Sequence, residues 1–137
     1  MSSLDWDWPL GRSSFEGERI SDSARPVVWI IDVEQWPRAL LRAELIERGF
    51  DAVGWVTVRD AVESLPERFP EAIVVDLRGQ PLPLVERLPT LGVPVLIVAR
   101  VPESNDLPDG EWAAVLRRPV SIGEIADRVA TVVRGIR

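Results

Sequence analysis

The sequence predicts a single α/β domain, built as five strand–helix repeats, (βα)₅, around a doubly wound parallel sheet. Short continuous apolar runs alternate with segments of helical periodicity, which is typical of strands buried on both faces and joined by crossover helices. The chain has 137 residues, 46% of them hydrophobic, which is enough for one hydrophobic core but not for two. We expect the strand order 2-1-3-4-5, one of the two common orders of this architecture.

The apolar runs that predict the strands begin just after Pro26. Each run is short and continuous, as expected for strands with both faces covered. The five runs are residues 27–31, 52–56, 72–75, 93–98 and 112–116. We therefore assign residues 27–137 to the domain.

Three of the connecting segments carry clear helix signals. Between the first two strands, leucines one turn apart precede Gly49, which can end the helix. After the second strand, Thr57 can cap the next helix. The last helix has the strongest signal, because Ser121 and Glu124 form a capping-box pattern and apolar residues recur behind them at near-helical spacing.

The third and fourth connections carry little helical signal. Leu84, Val85 and Leu88 indicate a short helix before Pro89. Residues 102–110 hold two prolines and a glycine with almost nothing apolar, which predicts a loop or at most one turn. The third and fourth helices are therefore expected to be short or missing.

Residues 1–26 are polar and lack both strand and helix periodicity, which predicts a flexible N-terminal tail. Trp6 and Trp8 lie in this tail. Either the tail folds back over the domain, or it is a short linear motif whose tryptophans anchor another protein. The other four tryptophans are expected mainly to be buried or half-buried: Trp29, Trp36, Trp55 and Trp112.

The composition excludes several kinds of chemistry. With no cysteine and no histidine, the chain cannot form disulfides, thiolate nucleophiles, the usual zinc sites or histidine relays, so carboxylates are left to carry any chemistry. A formal net charge of -6 opposes binding to nucleic acid and to anionic membranes, and we expect neither as a partner. No apolar run could span a bilayer and no signal peptide is visible, so we expect a cytoplasmic protein. The sequence stops soon after the last predicted helix, and we expect no output domain.

Charged side chains follow three of the predicted strands. Asp32 and Glu34 come after the first strand, Asp76 after the third and Arg118 after the fifth. Ligands of open parallel sheets bind beyond the carboxyl ends of the strands. With the first and third strands as neighbours, Asp32 and Asp76 come together, and Arg118 can approach from the far side. This arrangement predicts an acidic pocket, lined by Asp32 and Glu34, that faces one cation.

The same segments resemble the receiver domain of two-component response regulators over about residues 27–134. Residues 28–34, Val-Trp-Ile-Ile-Asp-Val-Glu, resemble the family's first strand and the acids that follow it. Residues 70–76, Pro-Glu-Ala-Ile-Val-Val-Asp, resemble the segment that ends in the phosphoacceptor aspartate. Residues 116–119, Leu-Arg-Arg-Pro, resemble the family's Leu-x-Lys-Pro. The resemblance implies a flavodoxin-like, receiver-like fold and a role in signal transduction.

Three site positions depart from the family's pattern. Val33 stands where the family has an acid that binds Mg²⁺, and a side chain without oxygen cannot bind this hard cation. Ala99 stands at the switch-hydroxyl position. Arg118 stands at the lysine position and brings a planar fork in place of a compact ammonium group. The resemblance therefore implies weak binding of Mg²⁺ at best, through Asp32 and Asp76, and no other cofactor.

The sequence leaves the roles of the two aspartates open. Asp76 is either the phosphoacceptor or an acid retained because Arg118 pairs with it. Asp32 is either a hydrogen-bond acceptor at the start of the first helix or a water-mediated metal ligand. We expect an atypical receiver, of degenerate or pseudo-receiver type, that is not an enzyme and acts through protein contacts without phosphorylation. The alternative is a weak but genuine Mg²⁺-dependent phosphoacceptor.

Other signalling proteins are the expected partners, and homodimerisation is the simplest case. Trp112 lies beside the depleted fourth connection, so we predict partner contact on that side, with Trp6 and Trp8 assisting. A nucleotide or flavin enzyme of the same architecture needs a phosphate cradle after the first strand. Residues 32–37 offer acids, bulk and a proline in place of its glycines, which argues against such an enzyme.

Overall fold

The computed structural model of the protein describes residues 8, 25–100 and 107–136. Most of the predicted tail, including Trp6, and the first part of the predicted fourth connection lie outside the described residues. None of the helices in the described ranges combines the length and apolar character that a bilayer span requires.

Five parallel strands form one sheet in the order β2-β1-β3-β4-β5, as predicted. The strands are β1 (Val27–Ile31), β2 (Asp51–Trp55), β3 (Ala72–Asp76), β4 (Val95–Ala99) and β5 (Ala114–Arg117). β1, β3 and β4 are buried throughout, because each has a strand on both sides and covered faces. β2 and β5 form the two edges and are only partly buried. The predicted doubly wound fold is confirmed.

The described part of the chain contains four helices. They are α1 (Gln35–Glu47), α2 (Val58–Glu63), α3 (Leu82–Val85) and α4 (Ile122–Ile136), with a 3₁₀ turn at Leu88–Leu91. Thr57 Oγ1 accepts the backbone N–H of Asp60 at 3.1 Å, and Ser121 Oγ accepts that of Glu124 at 3.0 Å, so both predicted N-caps are confirmed. Gly49 follows α1 with a φ of 93°, a conformation that glycine adopts without strain.

The third connection and the described part of the fourth contain little helix, as predicted. The helix α3 is only four residues long. Residues 107–113, the described part of the fourth connection, contain no helix. The backbone N–H of Asp109 donates to Glu86 Oε2 at 2.7 Å, which holds this segment next to α3. In its described part, the fourth connection therefore covers the sheet with a loop.

Side chains alternate along the strands between two cores, one on each face of the sheet. Trp29 belongs to the core under α2 and α3, whereas Ile30 belongs to the core under α1 and α4. Trp29 is fully buried, and its indole N–H donates to the carbonyl of Arg68 at 3.3 Å. Its ring meets that of Trp55 edge to face with centroids 6.3 Å apart, a favoured aromatic geometry. These cores fix the strand ends that carry the candidate site.

Two tryptophans near the third and fourth connections are half-buried against the first of these cores. Trp112 donates its indole N–H to the carbonyl of Pro108 at 3.0 Å. The guanidinium carbon of Arg87 lies 5.0 Å from the ring centroid of Trp8, within the range of a cation–π contact. Trp8 itself therefore packs against the domain, and the neighbouring residues 1–7 and 9–24 lie outside the described residues.

The expectation that Trp36 packs against the domain is wrong, because its side chain is 76% exposed. The inward positions of α1 are Leu41 and Leu45, both buried. In a helix with 3.6 residues per turn, Trp36 lies on the opposite side from Leu45 and on the same stripe as Leu40, which is 53% exposed. The outer face of α1 therefore carries two large apolar side chains.

Candidate functional site

Asp76 at the end of β3 and Arg118 just after β5 form an ion pair at the carboxyl edge of the sheet. Nε and Nη2 of Arg118 donate to Oδ2 of Asp76 at 3.2 and 2.8 Å. The other carboxylate oxygen, Oδ1, accepts the backbone N–H of Arg78 at 3.0 Å. The side chain of Asp76 is 7% exposed and that of Arg118 is 23% exposed. The predicted pairing is confirmed, and both oxygens of Asp76 are engaged.

Asp32 lies directly after β1, next to the strand that carries Asp76. Its Oδ1 accepts the backbone N–H of Glu34 at 2.8 Å, so Asp32 is a hydrogen-bond acceptor at the start of α1. Burial raises the pKa of Asp32 to about 6, and the nearby Asp76 carboxylate adds to the rise, while Arg118 and two other arginines oppose it. Asp32 therefore takes up a proton under mildly acidic conditions.

Two positions of the site are apolar. A Cβ atom built on Gly79 would lie 3.2 Å from Cγ1 of Val33, so Val33 is in close contact with the turn after β3. Gly79 has a φ of 70°, in the left-handed region that favours glycine. Ala99 ends β4 and is fully buried. Val33 and Ala99 offer neither a carboxylate oxygen nor a hydroxyl group at these positions.

Glu34 does not join the buried aspartates, and this corrects the expectation that it lines the acidic pocket. Its Oε1 pairs with Nη2 of Arg100 at 3.3 Å and also with Nη1 of Arg78. Within the described ranges, no group of three or more acidic, histidine or cysteine side chains is placed to hold a metal ion. The acidic pocket is thus reduced to Asp32 and Asp76, with Glu34 on its rim.

Three arginines at this edge were not singled out from the sequence. Arg38 Nη1 donates to the backbone carbonyl of Asp32 at 2.8 Å, while Arg78 and Arg100 contact Glu34. A signal was available for the last two, because each follows the end of a predicted strand as the acids do.

Gln80 is a second feature that the sequence analysis missed. Its Oε1 accepts the backbone N–H of Val58 at 3.2 Å, and its Nε2 donates to the carbonyl of Val56 at 2.8 Å. The buried amide therefore ties the turn after β3 to the start of α2. No sequence signal identifies such a residue, since glutamine is ordinarily exposed.

A small cavity lies beneath the ion pair. Its volume is about 10 Å³, room for roughly one water molecule. Asp32, Asp76 and Arg118 line it together with apolar residues that include Leu41 and Ile125. A space of this size excludes a nucleotide or a flavin.

The doubly wound sheet, with two buried aspartates at its carboxyl edge and Arg118 paired to one of them, defines a class of α/β module. No family model and no curated protein matches the sequence. Solved structures do match, and those described next are receiver domains or response regulators.

A response regulator receiver protein from Pseudomonas putida matches with a TM-score of 0.66 and 27% identity, over 80% of this chain and 98% of that one. A response regulator from Thermotoga maritima matches with a TM-score of 0.67 and 14% identity, over 80% and 98%. The receiver domain of a Francisella response regulator matches with a TM-score of 0.64 and 18% identity, over 82% and 100%. The chain therefore has the fold of the response-regulator receiver domains of two-component signalling, as the sequence resemblance predicted.

The raised pKa of Asp32 predicts that the free energy of unfolding depends on pH. The folded state binds the Asp32 proton more tightly than the unfolded state, so this residue lowers the free energy of unfolding as the pH rises from about 4 to about 6. Asp32→Asn removes that cost and should be more stable than the wild type by roughly 2–3 kcal/mol near neutral pH. The two proteins should converge near pH 4. Urea denaturation across this pH range measures the difference.

Asp60→Asn is the matched control, because Asp60 is an exposed acid at the start of α2. Its stability should differ from the wild type by less than about 1 kcal/mol throughout. A constant difference between Asp32→Asn and the wild type at all pH values would contradict the assignment.

Proposed function

We propose that the protein is an atypical receiver domain that acts in signal transduction through protein contacts, without phosphorylation. The observation that carries this proposal is the contact between Val33 and Gly79. The resemblance to receivers places a metal-binding carboxylate at position 33, and here methyl groups fill that place. Without that oxygen ligand, Mg²⁺ has too few hard ligands to activate Asp76 for phosphoryl transfer.

The state of Asp76 supports the same proposal. Arg118 places two donors on Oδ2 of Asp76, and the backbone of Arg78 binds the other oxygen. A carboxylate held in this way is less available for attack on a phosphodonor. Ala99 also lacks the hydroxyl through which the family's switch contacts a phosphoryl group. The site is therefore proposed to hold one fixed arrangement, in a domain that catalyses no reaction.

A second candidate function is a weak Mg²⁺-dependent phosphoacceptor. It is favoured by one observation: Asp32 and Asp76 are both present and buried at the carboxyl edge, beside a cavity the size of a water molecule. In this case phosphoryl transfer from a small donor to Asp76 would have to displace Arg118 from Oδ2.

The edge strand β5 supports protein contact on the side of the fourth connection. Among the strands that the structure describes, β5 pairs with β4 alone, and its residues Val115 and Leu116 are half-buried while Arg117 is exposed. An unpaired strand edge can add a strand from a second chain. Two copies of this chain need only one self-complementary patch, so we propose a second copy as the simplest partner, with Trp112 beside the contact.

We predict that the protein is not stably phosphorylated. The wild type, incubated with acetyl phosphate and Mg²⁺, should show no phosphoryl adduct in the intact mass, because Val33 provides no metal ligand. Val33→Asp restores an oxygen ligand and should gain an adduct, with acetate released as the phosphoryl group moves to Asp76.

Asp76→Asn in the Val33→Asp background controls for transfer to other side chains and should lose the adduct. An adduct on the wild type that requires Mg²⁺ and disappears in Asp76→Asn would establish the second candidate function instead.

The proposed contact predicts self-association that depends on Trp112. Sedimentation velocity over a range of concentrations should detect a wild-type dimer and a weaker one for Trp112→Ala, with circular dichroism to verify folding. Trp36→Ala is the matched control, since Trp36 is exposed on the outer face of α1. A wild type that stays monomeric, or association lost with Trp36→Ala but not with Trp112→Ala, would refute this contact.

A further inference from the structure

Trp8, near the N-terminus, docks on the domain just after α3. It is half-buried against the core under α2 and α3, and the guanidinium carbon of Arg87 lies 5.0 Å from the centroid of its ring. A cation at this distance from an aromatic ring is attracted by the quadrupole of the ring. Residues 9–24 separate Trp8 from Arg25, the next described residue. The contact between Trp8 and Arg87 is therefore a tertiary contact and not part of a local turn.

The backbone that carries Arg87 is held by hydrogen bonds of the domain itself. The N–H of Arg87 donates to the carbonyl of Leu84 at 3.1 Å. Its carbonyl accepts the backbone N–H of Thr90 at 3.0 Å and the hydroxyl of Thr90 at 2.6 Å. Leu84 and Leu88, on either side of Arg87, are buried. None of these bonds involves Trp8, so the surface is fixed independently of its ligand, which lowers the entropic cost of binding.

The core under α2 and α3 is covered near the fourth connection by separate side chains. Residues 107–113 contain no helix, and Leu107 and Trp112 pack against this core as Trp8 does. Oε2 of Glu86, the residue before Arg87, accepts the N–H of Asp109, so consecutive residues after α3 contact the fourth connection and Trp8. A large indole adds apolar cover where the connections supply little helix. Displacing it exposes apolar surface to water.

The chemistry of this surface favours a tryptophan side chain. The indole ring brings a large apolar area to the core and presents a π-face to the cation, and tryptophan is the best aromatic partner for such a contact. Trp8 lies in the segment Leu-Asp-Trp-Asp-Trp-Pro-Leu, residues 4–10. Short segments with one or two aromatic anchors are typical of motifs that bind a preformed surface reversibly.

We propose that Arg87 and the part of this core that Trp8 contacts form a docking site for the tryptophan of a peptide segment, with Trp8 of the same chain as its resident, displaceable ligand. We call this surface the indole site. Because Trp8 is covalently linked to the domain, its effective concentration at the site is high, and a weak contact is enough to keep the site occupied. A second polypeptide of the same chemistry must compete with Trp8. The indole site involves neither Asp76 nor a second copy, so it goes beyond the proposed function.

Fluorescence anisotropy with a fluorescein-labelled peptide of residues 4–10 tests the indole site in the full chain. The Trp8→Ala protein, which lacks the resident ligand, should bind the peptide saturably. The wild type should bind it at least about fivefold more weakly, because its own Trp8 competes. A Trp8→Ala peptide should bind the Trp8→Ala protein at least about tenfold more weakly than the unchanged peptide, since the anchor is gone. Adding Arg87→Gln to the Trp8→Ala protein should weaken binding of the unchanged peptide about threefold, because the cation–π contact is lost.

Matched controls separate the indole site from general effects of charge and of tryptophan loss. Trp36→Ala removes an exposed tryptophan of α1 and should bind the peptide as weakly as the wild type. Arg128→Gln, added to the Trp8→Ala protein, removes an exposed arginine of α4 and should leave peptide binding unchanged. Circular dichroism verifies folding, and Trp8→Leu, which keeps apolar bulk but offers Arg87 no ring, replaces Trp8→Ala if that variant is unfolded.

Three results would each overturn the proposal. The first is the absence of saturable binding to the protein that lacks Trp8. The second is equal binding by that protein and the wild type, which would show that Trp8 is not the resident ligand. The third is undiminished binding of the Trp8→Ala peptide, which would show that the surface does not select the indole ring.

Discussion

The ion pair between Asp76 and Arg118 is the constraint on which the site depends. A backbone hydrogen bond positions Arg118 independently of its side chain, because its N–H donates to the carbonyl of Ala99 at 2.8 Å. From there the side chain reaches past β4 to Asp76, where its two donors converge on one oxygen. Because the pair is largely buried, removing one partner destabilises the fold by leaving a buried charge without its counter-ion.

The same pair explains why the neighbouring groups differ in character. Arg118 forms its ion pair with Asp76, so its positive charge only partly offsets the cost of burying the Asp32 carboxylate. The pKa of Asp32 therefore rises to about 6. Glu34 lies farther out and is held by Arg78 and Arg100. In the interior of the site, the two buried aspartates lie beside one arginine, Arg118. At the rim, two arginines pair with one glutamate, Glu34. With Val33 in close contact with Gly79, this arrangement favours neither a metal ion nor phosphoryl transfer.

The sequence was sufficient for the parts of the fold that follow from burial alone. β1, β3 and β4 are buried on both faces and appear as continuous apolar runs, and the strand order then brings Asp76 and Arg118 to the same edge. Side-chain directions were less predictable. The contact between Glu34 and Arg100 joins residues 66 positions apart, and nothing local to Glu34 indicates it. The exposure of Trp36 likewise depends on which face of α1 meets the sheet.

Chemical denaturation of Arg118→Ala measures how much the ion pair with Asp76 stabilises the fold. If the buried pair fixes the site, the variant should lose about 3 kcal/mol of unfolding free energy, because Asp76 is left buried without its cation. Arg118→Lys keeps the charge but loses the planar fork of donors, so its unfolding free energy should lie between those of Arg118→Ala and the wild type. Arg128→Ala, at an exposed position on α4, should stay within about 0.5 kcal/mol of the wild type. Unchanged stability in Arg118→Ala would show that the ion pair does not hold the site in its arrangement.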